Sequence, residues 1–220
     1  MQTTQTWTTD FQRTKRLSLA AAAVTATIAT SAPGALLFGS SNSIEGLGSF
    51  TGAMSWTYLG SGTGTLAVSL TNTSNAANGG FLTGFAFNAV HGVNLSLASA
   101  PSASWRAASN VSASPYPNFD FGAALGGNWL GGGSPTGGIA TGTTNTFSFQ
   151  VSGSDALLAT LSDVSFFDAS NGYGFAARFR GFEDGGSDKV VGEVLVTPLP
   201  ETLGLAAASI AGLAFFRRRS

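Results

Sequence analysis

The side chains of this sequence that could do chemistry are mainly carboxylates in short polar segments. Asp163 and Asp168 flank a segment that reads as a short strand, and Glu183, Asp184 and Asp188 lie close together further along. Carboxylates in a glycine- and serine-rich loop could hold Ca²⁺, which prefers oxygen ligands, or could pair for glycoside hydrolysis. Their spacing fits no defined calcium loop, so a solvated hairpin turn is the simpler interpretation. We therefore predict no cofactor, with Ca²⁺ as the alternative.

Nucleophilic catalysis would require a base beside a nucleophile. His91 is the only histidine, and it precedes Gly92 in what reads as a turn after a strand. No serine stands in a Gly-x-Ser-x-Gly motif, and there is no cysteine to supply a thiolate or a disulfide. Zinc spacing, a phosphate-binding glycine motif and a dinucleotide fingerprint are also absent from the sequence. We predict that the chain has no catalytic residues and is not an enzyme.

Aromatic side chains offer a third kind of site. Trp56, Trp105, Trp129 and Tyr116 could form a platform on which sugar rings stack, although aromatic residues of β-proteins more often belong to the core. Trp129 lies within the glycine-rich loop 126–142, where glycines permit sharp reversals of the chain. We expect Trp129 to be exposed and treat it as the candidate ligand contact.

The elements that must position these side chains read as short β-strands. In residues 65–71, Leu66, Val68 and Leu70 alternate with polar residues, the period of a strand with one buried face. Similar alternation recurs, between Gly/Asn/Ser clusters, at residues 81–87, 93–97, 146–151, 173–180 and 190–196. The sequence predicts an all-β fold, an antiparallel β-sandwich of jelly-roll type. Only residues 155–161 read as helical, with Asp155 as the candidate cap.

Charge is scarce in the predicted body, residues 36–197. It holds four basic and nine acidic side chains, a net charge of −5, whereas the whole chain has −1. A mildly acidic body is a poor partner for the phosphate backbone, so nucleic-acid binding is excluded. The length suffices for a single domain with its own apolar core.

The N-terminal segment has the layout of a secretory signal peptide. Arg13, Lys15 and Arg16 precede the apolar stretch 17–29, and small residues follow. We therefore assign residues 1–35 to a signal helix that is handled by the secretion translocon and signal peptidase.

The C-terminal tail, residues 198–220, combines prolines, an apolar helix and a basic end. The predicted helix 203–216 carries no charge and is short for a bilayer, which suits transient anchoring in the inner membrane. Its terminal arginines should remain cytoplasmic, leaving the body outside. The expected signal residues are Pro198, Pro200, Glu201, Thr202, Arg217, Arg218 and Arg219.

This tail resembles the PEP-CTERM sorting signal of bacterial exosortase substrates. Pro200-Glu201 matches the start of the signature, 203–216 matches the helix, and the three arginines match the basic end. Thr202 stands where that family usually has its second proline. The resemblance implies recognition by an exosortase-like membrane enzyme, removal of the tail, and delivery to the cell surface or an exopolysaccharide matrix.

Three functions remain open from the sequence. The first is a non-enzymatic surface or matrix protein, structural or adhesive in an exopolysaccharide biofilm. The second is an extracellular carbohydrate-binding module that uses Trp129. The third is a glycan hydrolase that uses pairs of Asp and Glu side chains.

Overall fold

The computed structural model describes residues 36–131 and 133–195, and these form an antiparallel all-β body. The signal segment and the C-terminal tail lie outside the described residues. The strands are β1 (Leu36–Ser43), β2 (Phe50–Gly60), β3 (Thr63–Asn72), β4 (Gly79–Phe87), β5 (Val93–Ser99), β6 (Trp105–Ser112), β7 (Asn118–Leu125), β8 (Ile139–Ala140), β9 (Thr144–Gly153), β10 (Phe175–Phe182) and β11 (Ser187–Val194). The described helical segments are α1 (Asp155–Leu158) and the 3-10 turns Ala76–Asn78, Pro135–Gly137 and Asp163–Phe166.

All of these strands belong to one sheet. Its order is β5-β9-β3-β2-β1-β11-β10-β4-β7-β6, with β8 paired to β4, and every described pairing is antiparallel. The terminal strands β5 and β6 come into contact, so the sheet is nearly closed on itself. The prediction of an all-β antiparallel fold is confirmed. One coiled sheet takes the place of the two separate sheets of a sandwich.

Strand β1 explains why the sheet is continuous. It pairs with β2 along one edge and with β11 along the other, and so joins the second and last strands of the body. A register shift between Ser40 and Asn42 bends β1, as expected of a bulge. The sequence analysis contained no strand here, and without it the two halves would present open edges to solvent.

The core lies inside the curled sheet and is mainly aromatic. Leu66, Val68 and Leu70 are fully buried, as the alternation in β3 predicts. Phe85 and Phe175 stack with their ring centroids 5.8 Å apart, and the ring of Phe147 packs edge-on against Phe85 at 4.7 Å. A phenylalanine ring buries a large apolar area without a polar group, so most of this core consists of side chains that require no hydrogen bond.

The alternation predicted for residues 81–87 is wrong at one position. Thr83 has no partner in the register between β4 and β10, where Gly84 pairs with Arg178 and Leu82 pairs with Phe179. This bulge reverses the faces of the preceding residues, so Leu82 is fully buried while Phe81 is only half-buried. A one-residue shift in register places the side chains on one side of the bulge on the opposite face of the sheet, here those that precede Thr83.

A second, smaller cluster covers the outer face of the sheet. Ala86, Ala176 and Val191 project there from β4, β10 and β11, and Val111 and Phe119 from the β6–β7 hairpin pack with them. A Cβ atom on Gly122 of β7 would lie only 2.1 Å from the carbonyl oxygen of Phe85. The missing side chain therefore allows β7 to pair closely with β4.

The helix near residue 155 exists but is shorter than expected. It spans Asp155–Leu158, and its N-cap is Ser154, whose hydroxyl accepts the N–H of Leu157. The assignment of Asp155 as the cap is therefore wrong. Among the described helical segments, none has the length and apolar character needed to cross a membrane.

Candidate functional site

Asp188, one of the candidate calcium ligands, is a structural anchor. It is 2% exposed, which contradicts the expectation of a solvated hairpin turn at this position. Its oxygens accept hydrogen bonds from the Ser43 hydroxyl at 2.5 Å and from the backbone N–H groups of Ile44, Glu45, Leu47 and Gly48 at 2.8–3.2 Å. Since both oxygens already face donors, they are not available to a cation.

The pKa of Asp188 reflects this cradle of donors. Burial by itself would raise the pKa of the carboxyl, but the hydrogen bonds from Ser43, Gly48, Glu45 and Leu47 outweigh it. The net pKa is lowered below its ordinary value, because these donors stabilise the charged form. Asp188 therefore holds the segment after β1 against β11 as a carboxylate.

Asp163 and Asp168 do not flank a strand as expected, because Asp163–Phe166 is a 3-10 helix. Asp163 accepts the backbone N–H of Trp56 at 2.5 Å and so ties this helix to β2. Asp168 accepts the N–H of Ser170 at 2.9 Å, within its own turn. Both carboxylates therefore accept backbone hydrogen bonds, Asp163 from the distant strand β2 and Asp168 within its own turn.

The remaining carboxylates of the hairpin behave as predicted for a surface turn. Glu183 and Asp184 are exposed in the turn between β10 and β11, and Asp184 accepts the N–H of Gly186 at 2.7 Å. Within residues 36–131 and 133–195, no three acidic or histidine side chains form a group that could hold a metal ion. The acidic side chains suggested as Ca²⁺ ligands are therefore not grouped together in the described residues.

His91 lies at the rim of a surface depression of about 280 Å³ that Ser109, Asn110 and Asp120 also line. The imidazole is exposed, and in the described part of the chain no hydrogen bond joins it to a serine or a carboxylate. A triad is recognised by such bonds, so this geometry does not assemble one.

Trp129 is buried, so the expectation that it would be exposed is wrong. The side chain is 6% exposed and belongs to the outer cluster with Ala86 and Ala176. The reason is Gly84, because a Cβ atom there would lie 3.4 Å from the indole Cε3. The space above this glycine accommodates the indole, which therefore has no open face for stacking on a sugar.

The other members of the expected platform are not surface rings either. Trp56 and Trp105 are 8% and 2% exposed and belong to the main core. Tyr116 is half-buried and packs edge-on against Tyr173 at 5.3 Å. The aromatic residues of this body therefore stabilise the fold and do not form a binding platform.

An open cleft of about 580 Å³ lies between the start of β6 and the glycine-rich loop. Arg106 and Ser104 line one side, Ser134 and Thr136 line the other, and Leu125 contributes an apolar patch. Arg106 and both loop hydroxyl residues are exposed. The cleft thus combines one permanent cation with several hydroxyl groups, a set that can bind an anionic, hydroxyl-rich ligand.

The basic residues of the body all lie on β6, β10 and β11. Arg178 and Lys189 are register partners on neighbouring strands, and burial, followed by the like charges of Arg180 and Arg178 respectively, lowers the pKa of each. The guanidinium of Arg180 donates from Nη2 to the carbonyl oxygen of Gly133 at 3.4 Å. This contact links β10 to the loop that borders the cleft.

Arg106, Ser134 and Thr136 were not recognised as candidates in the sequence. In the sequence, Arg106 counted only as one of the four basic side chains of the body, and Ser134-Pro135-Thr136 belonged only to the glycine-rich loop 126–142. The available signal was a Ser-Pro start to a short helix, because Ser134 accepts the N–H of Thr136 and caps that turn.

Comparison with known proteins identifies no relative of this chain. No family matches the sequence, and neither a curated protein nor a solved structure is significantly similar to it.

Proposed function

We propose that this chain is an exported bacterial protein that an exosortase-like membrane enzyme sorts to the cell surface or extracellular matrix. The observation that carries this proposal is the sequence of the tail, in which prolines, the uncharged apolar stretch 203–216 and terminal arginines follow one another. The basic and apolar leader in residues 1–35 supports the same route from the other end. The translocon, signal peptidase and sorting enzyme are the implied partners.

We also propose a conformation at the membrane for the N-terminal segment and for the C-terminal tail. Residues 1–35 would enter the membrane as a signal helix, and 203–216 would anchor the body there briefly as a helix. Pro198 and Pro200 would hold the intervening chain extended, because proline bars the helix from continuing towards the body. An extended backbone is what a protease or transpeptidase needs for cleavage.

Deletion of residues 198–220 tests the sorting step by cell fractionation and mass spectrometry of the product. We expect the deleted form to leave the membrane and matrix fractions. A matched variant, Pro200→Ala with Glu201→Ala, keeps the apolar helix and the arginines, and it should accumulate as unprocessed precursor in the membrane. Unchanged processing and location in both would reject the proposal, as would intact precursor free in the cytosol.

We further propose that the body acts without catalysis, as a structural or adhesive component of the matrix. The support is the structural use of its carboxylates, since Asp163, Asp168 and Asp184 accept backbone N–H groups and Asp188 anchors a loop. The hydrolase alternative predicts an activity that single substitutions of these residues abolish. If glycan hydrolysis appears and depends on any of them, the non-enzymatic proposal fails.

A carbohydrate-binding module is the second candidate, and the cleft beside Arg106 favours it. Its size lies within the range of about 300–1,000 Å³ common for small-ligand sites. The binding face would then be this cleft rather than Trp129, which is buried. A polysaccharide pull-down with the Arg106 variants described below separates this candidate from a purely structural role.

A further inference from the structure

We propose that the cleft between Arg106 and the glycine-rich loop binds a carboxylate-bearing sugar residue of an acidic polysaccharide. The chemistry of the cleft carries this inference, and it rests on the proposed surface location only for the source of the ligand.

The charge of the cleft selects an anion. Arg106 is the one charged side chain among its lining residues, and no Asp or Glu of the described body lines it. A guanidinium presents paired N–H donors that match the two oxygens of a carboxylate. The body as a whole is acidic, so the charge of the cleft is opposite in sign to the net charge of the body.

The opposite wall supplies groups that suit sugar hydroxyls. The hydroxyl groups of Ser134 and Thr136 are hydrogen-bonded to each other at 2.8 Å, and both residues are exposed and line the cleft. One hydroxyl of the pair keeps a free donor and the pair keeps acceptor capacity, so the pair can exchange hydrogen bonds with neighbouring hydroxyls of a ring. Ser104 adds a third hydroxyl residue beside Arg106.

The walls of the cleft are held in place by contacts outside it. Arg180 bonds to the carbonyl of Gly133, and the turn Pro135–Gly137 packs on β4 and β10. A Cβ atom on Gly127 would come within 3.1 Å of the Arg106 Cβ, so glycine lets the loop pass beside Arg106. Because the walls of the cleft are already held in place, binding a ligand requires little further ordering of the loop and so loses less conformational entropy.

The size of the cleft fits a short stretch of polysaccharide. A volume of about 580 Å³ accommodates roughly one or two sugar rings. The cleft is open to solvent, so the rest of a polymer can continue in both directions. A single site of this size favours weak binding that a matrix strengthens through repeated contacts.

Isothermal titration of the full-length protein tests the inference. The probes are an oligogalacturonate and its methyl-esterified form, which has the same sugar backbone without the carboxylate charge. We expect the acidic form to bind, with affinity falling as salt is added, and the ester to bind at least about tenfold more weakly.

Two variants locate the site. Arg106→Gln removes the exposed cation and should weaken binding of the acidic oligosaccharide about tenfold or more. Lys189→Gln removes the same charge on β11, outside the cleft, and should change the affinity by less than about threefold. Thr136→Val keeps the shape of the side chain and should weaken binding through the lost hydroxyl. Thermal melting of each variant verifies that it is folded.

Three outcomes would overturn the inference. These are absence of binding, equal binding of the acidic and esterified probes, and equal losses for Arg106→Gln and Lys189→Gln. None of them alters the tail-deletion experiment, which reads location rather than affinity. A protein sorted to the surface that ignores the acidic probe would refute this site alone, and a binding protein that stays in the cytosol would refute the sorting proposal alone.

Discussion

Replacement of Asp188 by asparagine should destabilise the body severely, although it changes only one oxygen to an amide nitrogen. In the native structure, Oδ1 and Oδ2 each accept two backbone N–H groups from residues 44–48, and Oδ2 also accepts the Ser43 hydroxyl. An asparagine keeps one oxygen. Its NH₂ group is a donor, and it would face two further donors in a buried site.

The magnitude follows from that count. Two backbone N–H groups around the buried carboxyl position would lose their acceptor, each at a cost of about 1–3 kcal/mol, and the remaining bonds would no longer be charge-assisted. We therefore expect Asp188→Asn to lower the free energy of unfolding by about 3–5 kcal/mol. For a domain of this size, the corresponding fall in Tm is roughly 10 °C.

Urea unfolding followed by tryptophan fluorescence measures this change, because Trp56, Trp105 and Trp129 are all buried. Asp184→Asn is the matched control, since Asp184 lies exposed in the same hairpin and accepts only the N–H of Gly186. The control should change stability by less than about 0.5 kcal/mol. Equal losses in the two variants would refute the anchoring role of Asp188.

The pH dependence provides an independent check. The pKa of Asp188 is lowered in the folded protein, so its carboxylate stabilises the fold above the unfolded pKa of about 3.9. That stabilisation is lost as the pH falls through the lower, folded pKa. The stability difference between the native protein and Asp188→Asn should therefore be constant near neutral pH and narrow below about pH 4. A difference that does not change with acidification would contradict this reasoning.

Two further substitutions test the outer face of the sheet. Gly122→Ala would drive a methyl group into the backbone of β4 and should lower the free energy of unfolding by at least about 2 kcal/mol. Gly39→Ala is the control, because its methyl group would meet Leu195 at an ordinary 3.5 Å. Similar melting temperatures for the two variants would contradict the close approach of β7 to β4. Trp129→Ala should lower the free energy of unfolding by about 3 kcal/mol, because a packed indole is lost. The purified, folded variant should still bind the acidic oligosaccharide. A folded variant that no longer binds would restore Trp129 as a ligand contact.

A strand could be recognised in the sequence when one of its faces is buried and the other is exposed, because its apolar and polar residues then alternate. Strands with alternating apolar residues, such as β3 and β9, were located correctly because one face of each is buried. Strands β1, β2, β6 and β7 were not identified. In β1 and β6, polar and small residues interrupt the alternation. The bulge at Thr83 was equally invisible, because a shift in register belongs to a pair of strands and not to one of them.

Residue pattern and composition predict an all-β body in which charge is rare, because a single strand already contains its local period. The fold was needed to show that Asp188 and Trp129 are buried and that Arg106 lines a cleft together with hydroxyl residues of a distant loop. Asp188 bonds to N–H groups some 140 positions away, and a backbone donor has no signature in the sequence. Trp129 is buried because Gly84 on β4 leaves room for its indole ring. The contact between these two residues depends on how the strands are arranged in the sheet, which the sequence does not show.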